Sequence, residues 1–442
     1  MIIIIKQFFN RFFPKKKTYP DATIIPRSEH TISRKDISDN ALKVLYRLQQ
    51  HSYSAYLVGG CLRDLLLNKK PKDFDIATNA RPEKIKKLFR NCLLIGRRFR
   101  LAHIRFGREV IEVTTFRAHG EKKSFKHRTV AAHGMLLRDN IYGSIEEDAW
   151  RRDFTMNALY YNINDFSLVD YCGGLADIQH KIVRIIGDPK TRYQEDPVRL
   201  LRAIRFAGKL EFTLDPATAE PIPELAHLLH NVPPARLYEE VLKLFHHGQA
   251  FKTYQLLLRY QLFAELFPQT IASFEQENTR KLLELSCKNT DQRIQEGKTI
   301  SPAFLFAVFL WPAVQAEVQR ISKHQPPFVA YQHAMRHVLT EQQKQVTIPR
   351  RYSTTIREIW DLQHRLLQRR PFTIKPLIAH PRFRAAYDFL LLRAQIQEIP
   401  QEIANWWTEF LSADEPTKAA LIEQIIAQQK TPKRHKKRGK FV

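Results

Sequence analysis

Apolar positions early in the chain alternate between helical and strand spacing. Ser38 can cap a helix that carries Ala41, Leu45 and Leu48 on one face. Ala55-Tyr-Leu-Val58 reads as a buried strand running into Gly59-Gly60, and Cys61-Leu-Arg-Asp-Leu-Leu-Leu67 predicts a helix that starts at once from the glycine pair. Lys72-Asp-Phe-Asp-Ile-Ala77 alternates and predicts a second strand. Pro82 opens a basic helix through Phe89, and two further strands are expected at 102–106 and 110–116. From 118 to 133 periodicity vanishes among Lys122, Lys123, Lys126 and Arg128, which predicts a mobile basic loop. Beyond Arg151 helical spacing dominates to about Gln424. Within it the apolar run 303–311, with Ser301 as cap and Pro302 at the first helical position, reads as a core helix. No internal repeat of fixed period is visible. Mixed α/β elements followed by helices give an α+β protein, a small catalytic head on a long helical body.

The 442 residues allow about three domains. Hydrophobic residues at 44% and charged residues at 26% exclude wholesale disorder, a collagen and a membrane bundle. Charge is the anomaly: 71 Lys+Arg against 45 Asp+Glu leave +26, which favours a polyanion partner, nucleic acid before an acidic membrane surface. Cys61, Cys92, Cys172 and Cys287 form no C-x-x-C pair, so neither a disulfide framework nor a zinc module is expected and a reducing compartment is. Residues 1–17 lack the long apolar run of a secretory signal or a span. Their apolar bulk ahead of Lys15, Lys16 and Lys17 fits either a weak interfacial anchor or a frayed extension. The end of the chain from Lys430 is a basic tail too polar to pack.

Four short constellations carry chemistry. Asp73 and Asp75, two apart in an expected strand, point to one side, and such like charges are stable mainly when they share a divalent cation. Asp-x-Asp alone is more often a turn or a solvated edge. A third acid is available in Glu112, which shares a face with Val110 and Thr114 in an otherwise apolar strand. Gly59-Gly60, followed by Arg63 and Asp64, fits backbone approach to a phosphate at a helix start, against the plain alternative of a tight turn. Arg151-Arg-Asp-Phe-Thr-Met-Asn-Ala-Leu159 pairs guanidinium forks with a carboxylate, suited to triphosphate and ribose or to a surface ion-pair cluster. Glu195-Asp-Pro-Val-Arg-Leu-Leu-Arg-Ala-Ile-Arg205 predicts a helix with Pro197 in its first turn, a buried Val198, Leu201 and Ile204 stripe, and Arg199, Arg202 and Arg205 spread over an arc. Tyr193, Trp311, Trp360, Trp406 and Trp407 can stack on bases, but core packing is the better account of most of them.

In chain order, from the glycine pair through Asp73 and Asp75 to Arg151–Thr155 and Glu195–Arg199, the four pieces resemble the motifs of the class II nucleotidyltransferases, the family of bacterial poly(A) polymerases and CCA-adding enzymes. Leu94-Ile-Gly-Arg-Arg-Phe-Arg-Leu-Ala-His-Ile104 resembles the segment marking the poly(A) polymerase branch. The resemblance implies a polymerase-β-like mixed α/β head followed by an elongated all-helical neck and body. The accompanying domain plan is an extension at 1–36, partly disordered and outside the resemblance over residues 1–13, a head at 37–165, and a neck at 166–270 for nucleotide selection and the start of RNA binding. An RNA-binding body at 271–428 and a disordered tail at 429–442 complete it. Asp73 and Asp75 are then the Mg²⁺ ligands that activate an RNA 3′-hydroxyl, with Asp153 in the catalytic set. Whether Glu112 or Asp153 is the third metal-site carboxylate stays open. Asp196 and Arg199 match the positions that read the base edge, and Arg152 a phosphate or ribose contact. Gly59, Gly60, Arg63, Asn157 and Arg202 complete the nucleotide-binding set. The reaction implied is template-independent transfer of AMP from ATP, across a two-metal site whose ions stand about 4 Å apart. RNA 3′ ends, RNA-decay proteins, a monomeric state and a cytoplasmic location, peripheral at the inner membrane face if the N-terminal anchor acts, are the accompanying expectations. A CCA-adding enzyme is the nearest alternative, and an RNA-binding protein with an inactive head the more distant one.

Overall fold

The structure, a computed structural model, describes residues 19–96, 100–118, 128–130, 136–139 and 141–430. The N-terminal segment 1–17, most of the basic stretch expected to be a loop, Arg97, Arg98, Phe99 and the tail 431–442 lie outside them. Two compact units divide the chain, Met1–Leu225 and Ala226–Val442.

The first unit is built on twelve strands among the described residues. They are β1 (Thr23–Ile25), β2 (Ala55–Val58), β3 (Asp75–Thr78), β4 (Cys92–Ile95), β5 (Leu101–Phe106), β6 (Glu109–Thr115), β7 (Arg128–Val130), β8 (Leu136–Asp139), β9 (Leu159–Asn162), β10 (Leu168–Asp170), β11 (Ile182–Val183) and β12 (Thr213–Leu214). Eight make one sheet in the order β1-β10-β9-β2-β3-β6-β5-β4. Only β3 and β6 are parallel neighbours there; the other pairs run antiparallel. One face, carrying Leu57, Ile76, Ile111 and Val113, is fully buried. The helix Asp39–Gln50 covers β2, β3 and β6 and buries Ala41, Val44, Leu45 and Leu48. Ser38 caps it as the spacing predicts, accepting from the Asn40 and Ala41 amides. On the other face Val58, Ala77, Phe116 and Tyr160 pack with Ala149 of the helix Ile145–Arg151, whose start is a Ser144/Glu147 capping box.

Three local readings need correction. β3 begins at Asp75, so Asp73 sits in the connection before it and is exposed. Helical spacing does not take over at Arg151, because β9 and β10 join the sheet after it and β11 pairs with β12 within the expected helical neck. These strands are two to four residues long, too short for periodicity to register. Residues 23–25, inside the expected N-terminal extension, form an edge strand against β10, and 128–130, inside the expected loop, pairs antiparallel with 136–139 just beyond it.

The second unit is all helix among the described residues. Phe309, at the end of the helix Pro302–Phe309, gathers the rings of Phe245, Tyr254, Phe263 and Phe267 within 6.5 Å. Ser301 stands at that helix's cap position as expected, though its hydroxyl makes no cap bond. A further cluster centres on Trp407, whose indole donates to the Leu366 carbonyl at 3.0 Å. Tyr193 in the first unit, and Trp311, Trp360, Trp406 and Trp407 in the second, are all buried. The four cysteines are free, and no helix among the described residues is long and apolar enough to cross a membrane.

Candidate active site

Strand register sets the site. Val58 of β2 pairs with Asp75, Asp75 pairs with Glu112 of β6, and Glu112 pairs with His103 of β5. Residues opposite one another in register project from the same face. Asp75, Glu112 and His103 therefore form a row across the sheet, and the His103 Nε2 lies 3.2 Å from the Glu112 carboxylate. Burial first, then the Glu112 charge and more weakly that of Asp73, push the Asp75 carboxyl up to about 6, against the lowering effect of Arg152. The exposed Asp73 thus acts on the same place from the loop.

The turn after β2 points at this row. Gly59 has φ +83°, a conformation that favours glycine. A side chain there would project toward the Asp75 carboxylate (3.6 Å) and the Arg152 guanidinium (3.8 Å), so the turn leaves the space between them open. Arg152 is held from behind. Its Nε donates to the Tyr160 hydroxyl at 3.0 Å, and its Nη2 to Asp148 Oδ2 at 3.0 Å. The Tyr160 hydroxyl donates to the same Asp148 oxygen at 2.7 Å, and the Arg117 amide occupies the other at 3.1 Å. Tyr160 is fully buried and Asp148 nearly so. Sequence reading missed both. Asp148 looks like one of several acids at a helix start, and only its spacing of four from Arg152 hinted at a pair. Because the lock fixes a guanidinium aimed into the site, Tyr160→Phe is expected to raise the KM for the nucleotide about tenfold, the worth of one hydrogen bond to a charged group. The kcat should change less. A KM equal to the parent's would show that Tyr160 serves only packing.

Asp153 faces elsewhere. Arg199 Nε donates to Asp153 Oδ1 at 2.7 Å, and Arg202 contacts the other carboxylate oxygen. Burial alone would raise this carboxyl; Arg202 and Arg199 outweigh it and hold it well below the usual carboxylate range. Arg199 is itself buried, and its Nη1 donates to the Arg192 carbonyl at 2.7 Å and to Glu195 at 3.2 Å. Glu195 closes the helix Pro189–Glu195, Asp196 is extended, and a separate helix, Val198–Leu210, begins after Pro197. The acids therefore lie at a break between two helices, not in the first turn of one. Arg205 sits over the Phe206 ring, 5.0 Å from its centroid. Arg63 donates to Asp64 at 2.6 Å and to Asn157 at 2.8 Å, stacks over Phe206 at 5.3 Å, and is buried. Of the expected residues, Asp73, Asp75, Glu112, Gly59 and Arg152 gather at one strand end. Asp153, Arg199 and Arg202 form a second, adjoining cluster in sequence, and Arg63 and Asn157 a third.

No group of three or more His, Cys, Asp or Glu among the described residues is drawn together closely enough to hold a metal ion. The donors nevertheless fit a hard divalent cation, because Asp75 is a carboxylate whose ionisation its own neighbours oppose. Titrating higher folded than unfolded, Asp75 stabilises the metal-free protein while neutral, and that contribution is lost as pH rises through about 6. Magnesium should therefore raise the melting temperature more at neutral pH than at pH near 5. In Asp75→Asn most of that difference should disappear. Equal magnesium shifts at both pH values would show that the cation binds elsewhere.

A carboxylate row at one strand end, faced by an arginine across an open glycine turn on a mixed sheet, defines a nucleotidyltransferase of the polymerase-β-like type. Similarity to known proteins agrees. The family model of the Poly A polymerase head domain matches residues 55–184, that of the Polymerase A arginine-rich C-terminus 323–440, and "Probable RNA and SrmB- binding site of polymerase A" 211–274. The chain is 51% identical over 416 residues to Poly(A) polymerase I of Salmonella typhi, covering 92% of this chain and 89% of that one. It is 47% identical to Poly(A) polymerase I of Haemophilus influenzae, over 91% of each. A CCA-adding enzyme of a Geobacillus species is 38% identical across 52% of the chain. Among solved structures, the Thermotoga maritima CCA-adding enzyme complexed with tRNA shares the fold, with a TM-score of 0.59 at 18% identity, covering 92% of this chain and 99% of that one. The chain belongs to the bacterial poly(A) polymerase family of class II nucleotidyltransferases.

Proposed function

We infer that this enzyme adds AMP from ATP to RNA 3′ ends without a template and releases pyrophosphate. Sequence kinship over nearly the full chain supports the poly(A) reading, since the CCA-adding relatives match in sequence at lower identity and over about half of it. The observation that carries the chemistry is the register pair Asp75–Glu112 facing Arg152 across Gly59. Asp75, Glu112 and Asp73 would hold magnesium; Glu112 rather than Asp153 is the third carboxylate, because Arg199 and Arg202 already engage Asp153. When bound, the cations lower the cost of charge on the attacking and leaving oxygens. Arg152, pinned by Tyr160 and Asp148, takes a phosphate oxygen of ATP. Gly59 and Gly60 let the triphosphate lie close to the backbone.

Arg199 selects the base. Its Nε and Nη1 are committed to Asp153, Glu195 and the Arg192 carbonyl, and Nη2 makes no bond among the described residues. That nitrogen donates to the acceptor edge of adenine, while Asp196 accepts from the exocyclic amine. Arg202 supports Asp153 from its other oxygen, and Arg63 with Asn157 fixes the helix after the glycine turn. The positive excess of the chain holds the RNA backbone. In the cell the product tail serves RNA processing and decay, with decay proteins as partners, in the cytoplasm. Stoichiometry tests the chemical step: one pyrophosphate should appear per AMP added, and none with a primer lacking its 3′-hydroxyl. Free phosphate in place of pyrophosphate would overturn it.

A further inference from the structure

Among the described residues of the second unit most aromatic side chains are packed away, and two are held out, Phe328 at 64% exposed and Phe372. Phe372 is 78% exposed, the most exposed large hydrophobic side chain among the described residues. It lies in the short 3₁₀ turn Pro371–Thr373, between the helices Arg350–Gln368 and Ile374–Ile378. The turn is anchored on both sides. Arg369 ends the first helix in the left-handed region, φ 45°, with its guanidinium over the buried Trp406 ring at 5.7 Å. Ile374 and Leu377 are fully buried after the turn, and the Thr373 amide closes it on the Arg370 carbonyl at 2.9 Å. The turn's neighbours are packed into the unit and the ring is outside them.

Isolated exposed apolar side chains are common and by themselves mean little. The charge around this one is the second observation. From Arg350 to Arg384 nine lysines and arginines accompany only two acids, Glu358 and Asp361. Arg370 and Lys375, flanking the ring in sequence, are exposed and make no ion pair among the described residues. A lone ring amid unpaired cations suits a polyanion with flat faces better than an apolar protein groove. Single-stranded nucleic acid is such a ligand: bases stack on aromatic rings and the backbone tracks positive charge.

We propose that Phe372 is a base-stacking station for single-stranded RNA, with Arg370 and Lys375 as its phosphate contacts. The proposal rests on the reading of the chain as an RNA-extending enzyme and assigns part of its RNA-binding surface. It is tested by the affinity of the full chain for a short 5′-fluorescent oligo(A), across a salt series, for the parent, Phe372→Ala, Phe372→Leu and Phe372→Trp. Alanine and leucine should each weaken binding about tenfold, while tryptophan keeps the parent's affinity, because stacking needs a π face and not mere bulk. Melting temperatures should not move. The slope of log K against log salt should stay unchanged in these variants and flatten by about 0.7 in Arg370→Gln. Parent-like binding by Phe372→Ala, or leucine serving as well as phenylalanine, overturns the station. ATP-dependent extension of the same RNA separates the two readings. If the parent extends it while Phe372→Ala binds it normally, the station falls and the polymerase assignment stands; if the parent fails to extend it, the assignment falls and the binding data still decide the station.

Discussion

Asp75→Ala is expected to abolish nucleotide addition, by roughly a thousandfold or more, as losing a ligand that supplies several kcal/mol of transition-state stabilisation requires. RNA affinity should be unchanged, because the carboxylate adds nothing to phosphate contacts. The variant should also melt no lower than the parent in the absence of magnesium. Burial and Glu112 oppose the ionised form of Asp75 at neutral pH, so removing the carboxylate relieves repulsion rather than breaking a bond. A rate collapse with an undiminished melt distinguishes a lost metal ligand from a lost fold. Near-normal extension in magnesium would remove Asp75 from the site.

Asp153→Ala should behave in the opposite way, with stability falling first. The Asp153 carboxylate is the shared counter-ion of Arg199 and Arg202, and the Arg199 side chain is only 9% exposed. Removing the carboxylate leaves the buried Arg199 with only the longer contact to Glu195 and leaves Arg202 without its acid, at a cost of about 3 kcal/mol. For a unit of this size that corresponds to a fall of roughly 5–10 °C in melting temperature. Arg199→Ala should cost less, because Asp153 retains Arg202. Both variants should lose about tenfold in preference for ATP over the other nucleotides, one by deleting the base-reading group and the other by releasing it. A parent-like melt for Asp153→Ala would contradict the buried-pair assignment. An unchanged ATP preference in both would remove Arg199 from base selection.

Much of this arrangement was legible in the order of residues. The Ser38 cap, the strand ending in Gly59-Gly60 and the half-polar face of Glu112 follow from local period and capping chemistry, and the structure reproduces them. What the sequence hid is non-local. The Asp75–Glu112 pair depends on a parallel register between strands more than thirty residues apart, which no spacing encodes. Asp73 fell outside its strand because alternation continues through the preceding loop. Tyr160 looks like any core tyrosine until its hydroxyl is seen on Arg152 and Asp148. The Glu195–Arg205 stretch reads as one helix, yet Asp196 breaks it, and the Arg199 side chain reaches back across the break to Glu195 and the Arg192 carbonyl. Phe372 gave no sequence signal, since exposure of a single ring depends on what surrounds it.

The most direct measurement is primer extension by the purified chain on a short RNA in magnesium, with ATP, CTP, GTP and UTP each alone and with CTP and ATP together. The account predicts long ladders of products with ATP alone, little extension with any other single nucleotide, and no pause at a fixed length when CTP is added. Products that stop at a defined CCA end, or no extension with any nucleotide, would contradict it.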